Sequence, residues 1–268
     1  MFCAIIGIGG DSMKYIDKLI ELSCFTRRDV VALVGNEHAA HSLIYEYINK
    51  GYIQRIRHNL YTTISLETKQ PIANRFMIAS NIAEDSYVSH HSAFEYYGFA
   101  NQVFYEVYVS TKSRFKDFTF DDITYTRVNP KINSGIEFTN TGVRVTDLER
   151  TVIDSIYSFE NIGGLEELLR CLALVPSLQA EKLINYLDDY NLGNLFQKSG
   201  FILQGFADQL GLGQDFFDYC LRRVPNIKKY LYSTKDPLSK EFILYEDWML
   251  FAPANMRSIT SKGVELNE

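Results

Sequence analysis

Apolar residues recur at intervals of three and four through the N-terminal part of the chain. From Ser12 to about Ser23, Ile16, Leu19 and Ile20 share one face, which predicts a helix with Ser12 as its cap. In FTRRDVVALVG, Thr26 and Asp29 have the spacing of a capping box and Gly35 supplies a left-handed stop, so a short second helix is expected. From Glu37 to Lys50 the apolar face is Ala40, Leu43, Ile44, Tyr47 and Ile48, with His38, His41, Ser42, Tyr45 and Asn49 opposite, and Gly51 ends the pattern. The run YIQRIRHNLYTTI then reads as two β-rich segments around a turn at His58 and Asn59. Three helices followed by a basic hairpin predict a winged helix-turn-helix.

Pro71 is expected to open a helix running to about Ala83 and leaving this module. Between Tyr87 and Val145 the texture becomes aromatic and alternating (EVYVS, SRFKDFTF, ITYTRV, GVRVT), broken by a short helix around Ser92 to Tyr97 that Gly98 stops; this predicts a mixed sheet. Thr146 and Glu149 form a second capping-box pattern ahead of VTDLERTVIDSIY, and helices are expected near Leu165 to Leu174, Ser177 to Tyr190 and Leu195 to Leu210. The alternating run from Glu241 to Phe251 predicts a late strand. The expected class is α+β: an extension over 1–12, a winged helix-turn-helix over 13–83, and a mixed sheet-and-helix interaction domain over 84–268.

A hydrophobic content of 46%, with 18 Tyr and 18 Phe, suffices for packed cores. The net charge of -6 at first argues against a nucleic-acid partner, which needs clustered cations. The charge is unevenly distributed, however: Ser12 to Arg75 carries +3 and Phe76 to Glu268 carries -8. A basic module is joined to an acidic body, which implies a different partner for each. The four cysteines form no CxxC pair, which fits a reducing cytoplasm. The opening MFCAIIGIGG is too short to span a bilayer and lacks the basic flank of a signal peptide, so a soluble protein without membrane contact is expected. Gly7, Gly9 and Gly10 partly match a dinucleotide-binding turn, but Ser12 stands where the last glycine belongs, and no cofactor is expected.

In a helix-turn-helix the second helix offers side chains to base edges while neighbouring groups hold phosphates. His38, His41, Ser42 and Tyr45 occupy that position. Arg27 and Arg28 begin the preceding helix, whose positive end favours a phosphate, and Arg55, Arg57, His58 and Asn59 cluster around the hairpin turn. The plainer alternative is a solvated basic face. His38 with His41, and His90 with His91, lack Cys or carboxylate companions at ligand spacing, so no metal site is expected and His90 and His91 are assigned to a cap or to the core. GxSxG and P-loop patterns are absent, and the only ExK, Glu67 to Lys69, has no strand context. The adjacent acids Asp121 and Asp122, and Asp188 and Asp189, read as exposed loops; no enzymatic activity is expected.

The order FTRRDV, NKGYIQRIRHNLY, VSHHSAFEYYGF and GVRVTDLERTVIDSI, followed by LFQKSGFILQGF, resembles the AbiEi antitoxins, regulators of abortive-infection type IV toxin-antitoxin systems. The resemblance covers about residues 13 to 206. It implies an autoregulating repressor whose winged helix binds inverted repeats in its own promoter; pairing on the operator is expected, with a monomer off DNA as one of the options. It also implies a C-terminal domain that counters a nucleotidyltransferase toxin encoded beside it. The family's use of basic residues for DNA carries over to Arg27, Arg28, Lys50, Arg55 and Arg57. The alternatives are a nuclease-like enzyme and a promoter-binding regulator with no toxin partner.

Overall fold

In the computed structural model, residues 14–232, 242–254 and 256 are described. The glycine-containing opening and Ser12 lie outside them, and so does Glu241. The first unit runs α1 (Ile16–Leu22), β1 (Cys24–Phe25), α2 (Arg27–Val34), α3 (Glu37–Asn49), β2 (Ile53–Arg57) and β3 (Leu60–Thr63). Its strands form an antiparallel sheet in the order β1-β3-β2. The capping box closes as its spacing predicts, with Asp29 Oδ2 accepting from the Thr26 amide at 2.7 Å, and Gly35 ends α2 at φ +91°. Asn36 caps α3 by accepting from the Ala39 amide at 2.8 Å. Ile16, Leu19, Phe25, Val30, Ala40, Ile44, Tyr47 and Ile53 are buried together, so the three-and-four periodicity becomes the core of this unit.

Pro71 does not open a helix; it forms a bridge with Ile64, extending the chain beyond the hairpin. The helix, α4 (Arg75–Ser80), starts after Asn74, whose side chain accepts from the Phe76 and Met77 amides at 3.0 Å each. Asn74 offers the acceptor that a proline's ring cannot, so the start moves to it.

A six-stranded mixed sheet follows, built from β4 (Tyr87–Val88), β5 (Glu106–Ser110), β6 (Phe118–Phe120), β7 (Ile123–Val128), β8 (Ile136–Phe138) and β9 (Arg144–Thr146) in the order β6-β7-β5-β4-β9-β8. The β5–β7 and β4–β9 pairs are parallel. Helix α5 (His90–Tyr97) starts two residues earlier than its expected position. One apolar cluster contains Ile56 and Leu60 of the hairpin, Ile78 and Ala79 of α4, Ala93 of α5 and Val107, Val109 and Val145 of the sheet.

Helices α6 (Leu148–Tyr157), α7 (Leu165–Leu174), α8 (Ala180–Tyr190), α9 (Gly193–Gln204), α10 (Ala207–Leu210) and α11 (Gln214–Leu221) make up most of the rest. The expected capping box before α6 does not form. Thr146 belongs to β9, the cap is Asp147, accepting from the Arg150 amide at 2.8 Å, and Glu149 instead accepts from the Gln179 amide at 2.8 Å. The helix expected over Leu195 to Leu210 breaks at Gly205 and Phe206 into α9 and α10. The run ending at Phe251 is a hairpin, not one strand: β11 (Phe242–Tyr245) pairs antiparallel with β12 (Leu250–Pro253), and β10 (Lys229–Tyr230) joins β12 in parallel. The tryptophan ring of Trp248, in the turn, lies against Gly200 of α9 where any side chain would collide. The molecule is therefore α+β with mixed sheets and a helical body.

Candidate nucleic-acid interface

Burial of Ala40, Ile44 and Tyr47 turns the other side of α3 outward, and His38, His41 and Ser42 are exposed there, with Tyr45 66% exposed. The hairpin divides its two arginines. A register shift between Arg55 and Arg57 interrupts the β2–β3 pairing, and a bulge of this kind re-aims side chains. Arg55 is exposed, its Nε donating to the Arg57 carbonyl at 3.2 Å. Arg57 is half-buried, its guanidinium 5.2 Å from the Phe115 ring and 5.1 Å from the Phe118 ring. Burial lowers its pKa from the usual arginine value.

His58 and Asn59 form the exposed hairpin turn, with Asn59 at φ +60°. The Asn59 side chain accepts from the Arg27 amide at 3.1 Å, satisfying one of the open donors at the start of α2. Arg27 Nε in turn pairs with Glu37, the first residue of α3, at 2.9 Å. Hairpin tip, start of α2 and start of α3 are thereby gathered at one place. Arg28 pairs with Glu84 at 3.2 Å and Lys50 with Glu46 at 2.5 Å. The Arg28 pair is almost wholly exposed and contributes little to stability, so its guanidinium is available to an outside anion.

Sequence reasoning missed a further set of cations. The loop between β5 and β6 carries Lys112, Arg114 and Lys116, all exposed, and its Phe115 lies beneath Arg57, so the loop borders the hairpin. Asp85 holds this loop, accepting from Thr111 Oγ1 at 2.5 Å, the Lys112 amide at 2.8 Å and Ser113 Oγ at 2.8 Å. Partial burial raises the pKa of Asp85, but these hydrogen bonds outweigh it and hold the carboxyl down to about 2. The signal was the alternating KSRFK, which averaging into a segment of net -8 had hidden.

A second polar region lies between the sheet and the helices. His90, Ser110, Lys131, Asp154 and Tyr190 line a cavity of about 290 Å³. His90 begins α5 at φ +54°, its Nδ1 2.9 Å from Ser89 Oγ, which is 2.8 Å from Ser110 Oγ. Burial pushes its pKa down, leaving a neutral imidazole. Asp154 Oδ1 already accepts from Arg150 Nε at 2.6 Å and Tyr190 Oη at 2.5 Å. Asp121 and Asp122 form the exposed turn between β6 and β7, as expected from their adjacency, with φ of 49° and 61°.

Neither the protein-family models nor the curated proteins contain a match to this chain. Among the described residues, no helix is long and apolar enough to cross a membrane.

Proposed function

We propose that the first unit is a winged helix-turn-helix and that the protein is a sequence-specific DNA-binding repressor without enzymatic activity. The observation that carries this reading is the junction of Asn59, Arg27 and Glu37. It holds the hairpin tip beside the first turns of α2 and α3, with the polar side of α3 left open to solvent. Such an arrangement offers side chains to a major groove and cations to the flanking phosphates. His38, His41, Ser42 and Tyr45 read bases. Arg28, Arg55, His58 and the Lys112–Lys116 loop meet the backbone, while Arg27, Lys50, Arg57 and Asn59 position these groups.

The AbiEi resemblance supports two further parts of the proposal. The operator is an inverted repeat upstream of the protein's own coding sequence, occupied by two copies, and the acidic body counters a nucleotidyltransferase toxin encoded beside it. Apart from the Lys112–Lys116 loop, the charge division fits both roles, since phosphates repel a -8 segment that a basic protein accepts.

The test is retardation of the duplex upstream of the coding sequence by the full chain at about 150 mM salt, where nonspecific binding through phosphates is weak. Arg55→Glu with Arg114→Glu abolishes the retarded band, and His41→Ala or Ser42→Ala changes sequence preference. Unchanged affinity in the charge-reversal variant overturns the DNA-binding reading. Growth rescue on co-expression with the neighbouring nucleotidyltransferase tests the antitoxin role; failure of rescue leaves a promoter-binding regulator.

A further inference from the structure

Two helices that are distant in sequence bring three potential metal ligands together. His91 lies in the first turn of α5, and Glu167 and Cys171 stand one turn apart on α7. All three are buried: His91 and Cys171 are 0% exposed and Glu167 4%. Neither ring nitrogen of His91 has a hydrogen-bond partner, and neither does Glu167 Oε2. Glu167 Oε1 accepts a hydrogen bond from the Cys171 thiol, but the other carboxylate oxygen and both imidazole nitrogens are buried polar atoms without partners, which folded proteins rarely tolerate.

The separations within the cluster are informative. His91 Nε2 is 3.5 Å from Glu167 Oε1 without forming a hydrogen bond to it, and the Cys171 thiol donates to the same oxygen with Sγ at 3.7 Å. All three donor atoms lie within 4.8 Å of one another. Around a tetrahedral zinc ion, typical bond lengths place nitrogen and oxygen ligands about 3.3 Å apart and sulfur and oxygen about 3.6 Å apart. The observed nitrogen–oxygen and sulfur–oxygen separations lie within a few tenths of an ångström of these values.

We propose that His91, Glu167 and Cys171 bind one Zn²⁺, with Glu167 chelating through both oxygens, and that the ion clasps α5 to α7. The mixed nitrogen, oxygen and sulfur set suits a borderline-soft cation. Thiolate and carboxylate together cancel the charge of the ion, so the buried centre is neutral. Burial and the Glu167 carboxylate push the Cys171 thiol up to about 12, opposed by the Asn101 amide, so binding requires the cation to displace the thiol proton to solvent. Phe104 stacks flat on the His91 ring, with centroids 3.7 Å apart and planes at 8°, fixing the ring while leaving its nitrogen-bearing edge free. Gly163 makes room for Phe104; a Cβ there would lie 2.8 Å from its ring. The pattern escapes a linear search because His91 is separated in sequence from the Glu167 and Cys171 pair on α7.

The experiment uses the full chain, purified under reducing conditions and dialysed against metal-free buffer. Elemental analysis is expected to find about one zinc per chain, as in a structural site. Exchange with Co²⁺ is expected to give a thiolate-to-metal charge-transfer band and the intense visible absorption of four-coordinate cobalt. Cys171→Ser removes the charge-transfer band, and Glu167→Gln weakens zinc affinity at least tenfold. Replacing His38 and His41 by Ala, which deletes the exposed histidine pair on α3, changes neither signal. The proposal is overturned if the wild-type chain neither retains zinc nor develops the cobalt band, or if Cys171→Ser keeps that band. Should a variant fail to fold, the cobalt spectrum of the wild-type chain decides alone.

Discussion

Arg55 and Arg57 differ by two positions in one strand, and strict alternation gives them the same face. The bulge between them sends one to solvent and the other onto Phe115 and Phe118. Their substitution phenotypes therefore separate. Arg55→Gln is expected to lower DNA affinity and reduce the slope of log affinity against log salt by about one, the signature of one lost phosphate contact, with thermal stability unchanged. Arg57→Gln is expected to cost about 1 kcal/mol of stability through lost cation–π contact and packing, measured by denaturant unfolding. A slope change at Arg57 as large as that at Arg55 contradicts the assignment. The sequence made the basic character of the hairpin legible, but a bulge has no hydropathic signature, so the division of labour within it was not. The α3 side chains were easier to assign, because the helical period that buries Ala40, Ile44 and Tyr47 also exposes His38, His41 and Ser42.

At the scale of elements, α6 depends on a buried cation. Arg150 is 0% exposed; its Nε donates to Asp154 at 2.6 Å, and its guanidinium also reaches the carbonyls of Ser134 at 2.5 Å and Ile132 at 3.2 Å. These bonds tie α6 to the segment between β7 and β8, while the Tyr190 hydroxyl brings in α8. Arg150→Met leaves Asp154 buried without a counter-ion, held only by the Tyr190 hydroxyl, which is expected to cost about 3–5 kcal/mol. Arg150→Met combined with Asp154→Leu is expected to recover much of that loss, a non-additivity that a double-mutant cycle by denaturant unfolding measures. Additive losses refute the pairing. The helix itself was visible in VTDLERTVIDSI, but its cap was misassigned to Thr146, because a serine or threonine pattern does not reveal that β9 has already claimed that residue. Likewise, the break after α9 falls where Phe206 leaves the helical region at φ -120° and ψ 14°, although the apolar period continues to Leu210.

On the scale of the whole molecule, the charge division and the packing point in different directions. Charge separates a basic first unit from an acidic body, whereas Ile56 and Leu60 of the hairpin share a buried cluster with α4 and the sheet. That shared cluster was illegible in the sequence, since periodicity identifies which face is buried but not what covers it. Phe115 stands under the hairpin arginine while its neighbours Lys112 and Arg114 belong to a loop fastened by Asp85, so beside the shared cluster the hairpin and the body also meet where Arg57 rests on Phe115 and Phe118. Free-energy coupling is the consequence: a ligand of the body that shifts the Phe115 loop changes the energy of the hairpin pose, and reciprocity obliges operator binding to alter that ligand's affinity by the same factor. If the proposed repressor and antitoxin roles hold, titration calorimetry is expected to find operator affinity changed severalfold by saturating toxin, toxin affinity changed equally by saturating operator, and both changes reduced in Phe115→Ala; equal affinities in the wild-type chain refute the coupling. Under that proposal, transcription would read the toxin-to-antitoxin ratio through one arginine resting on two rings.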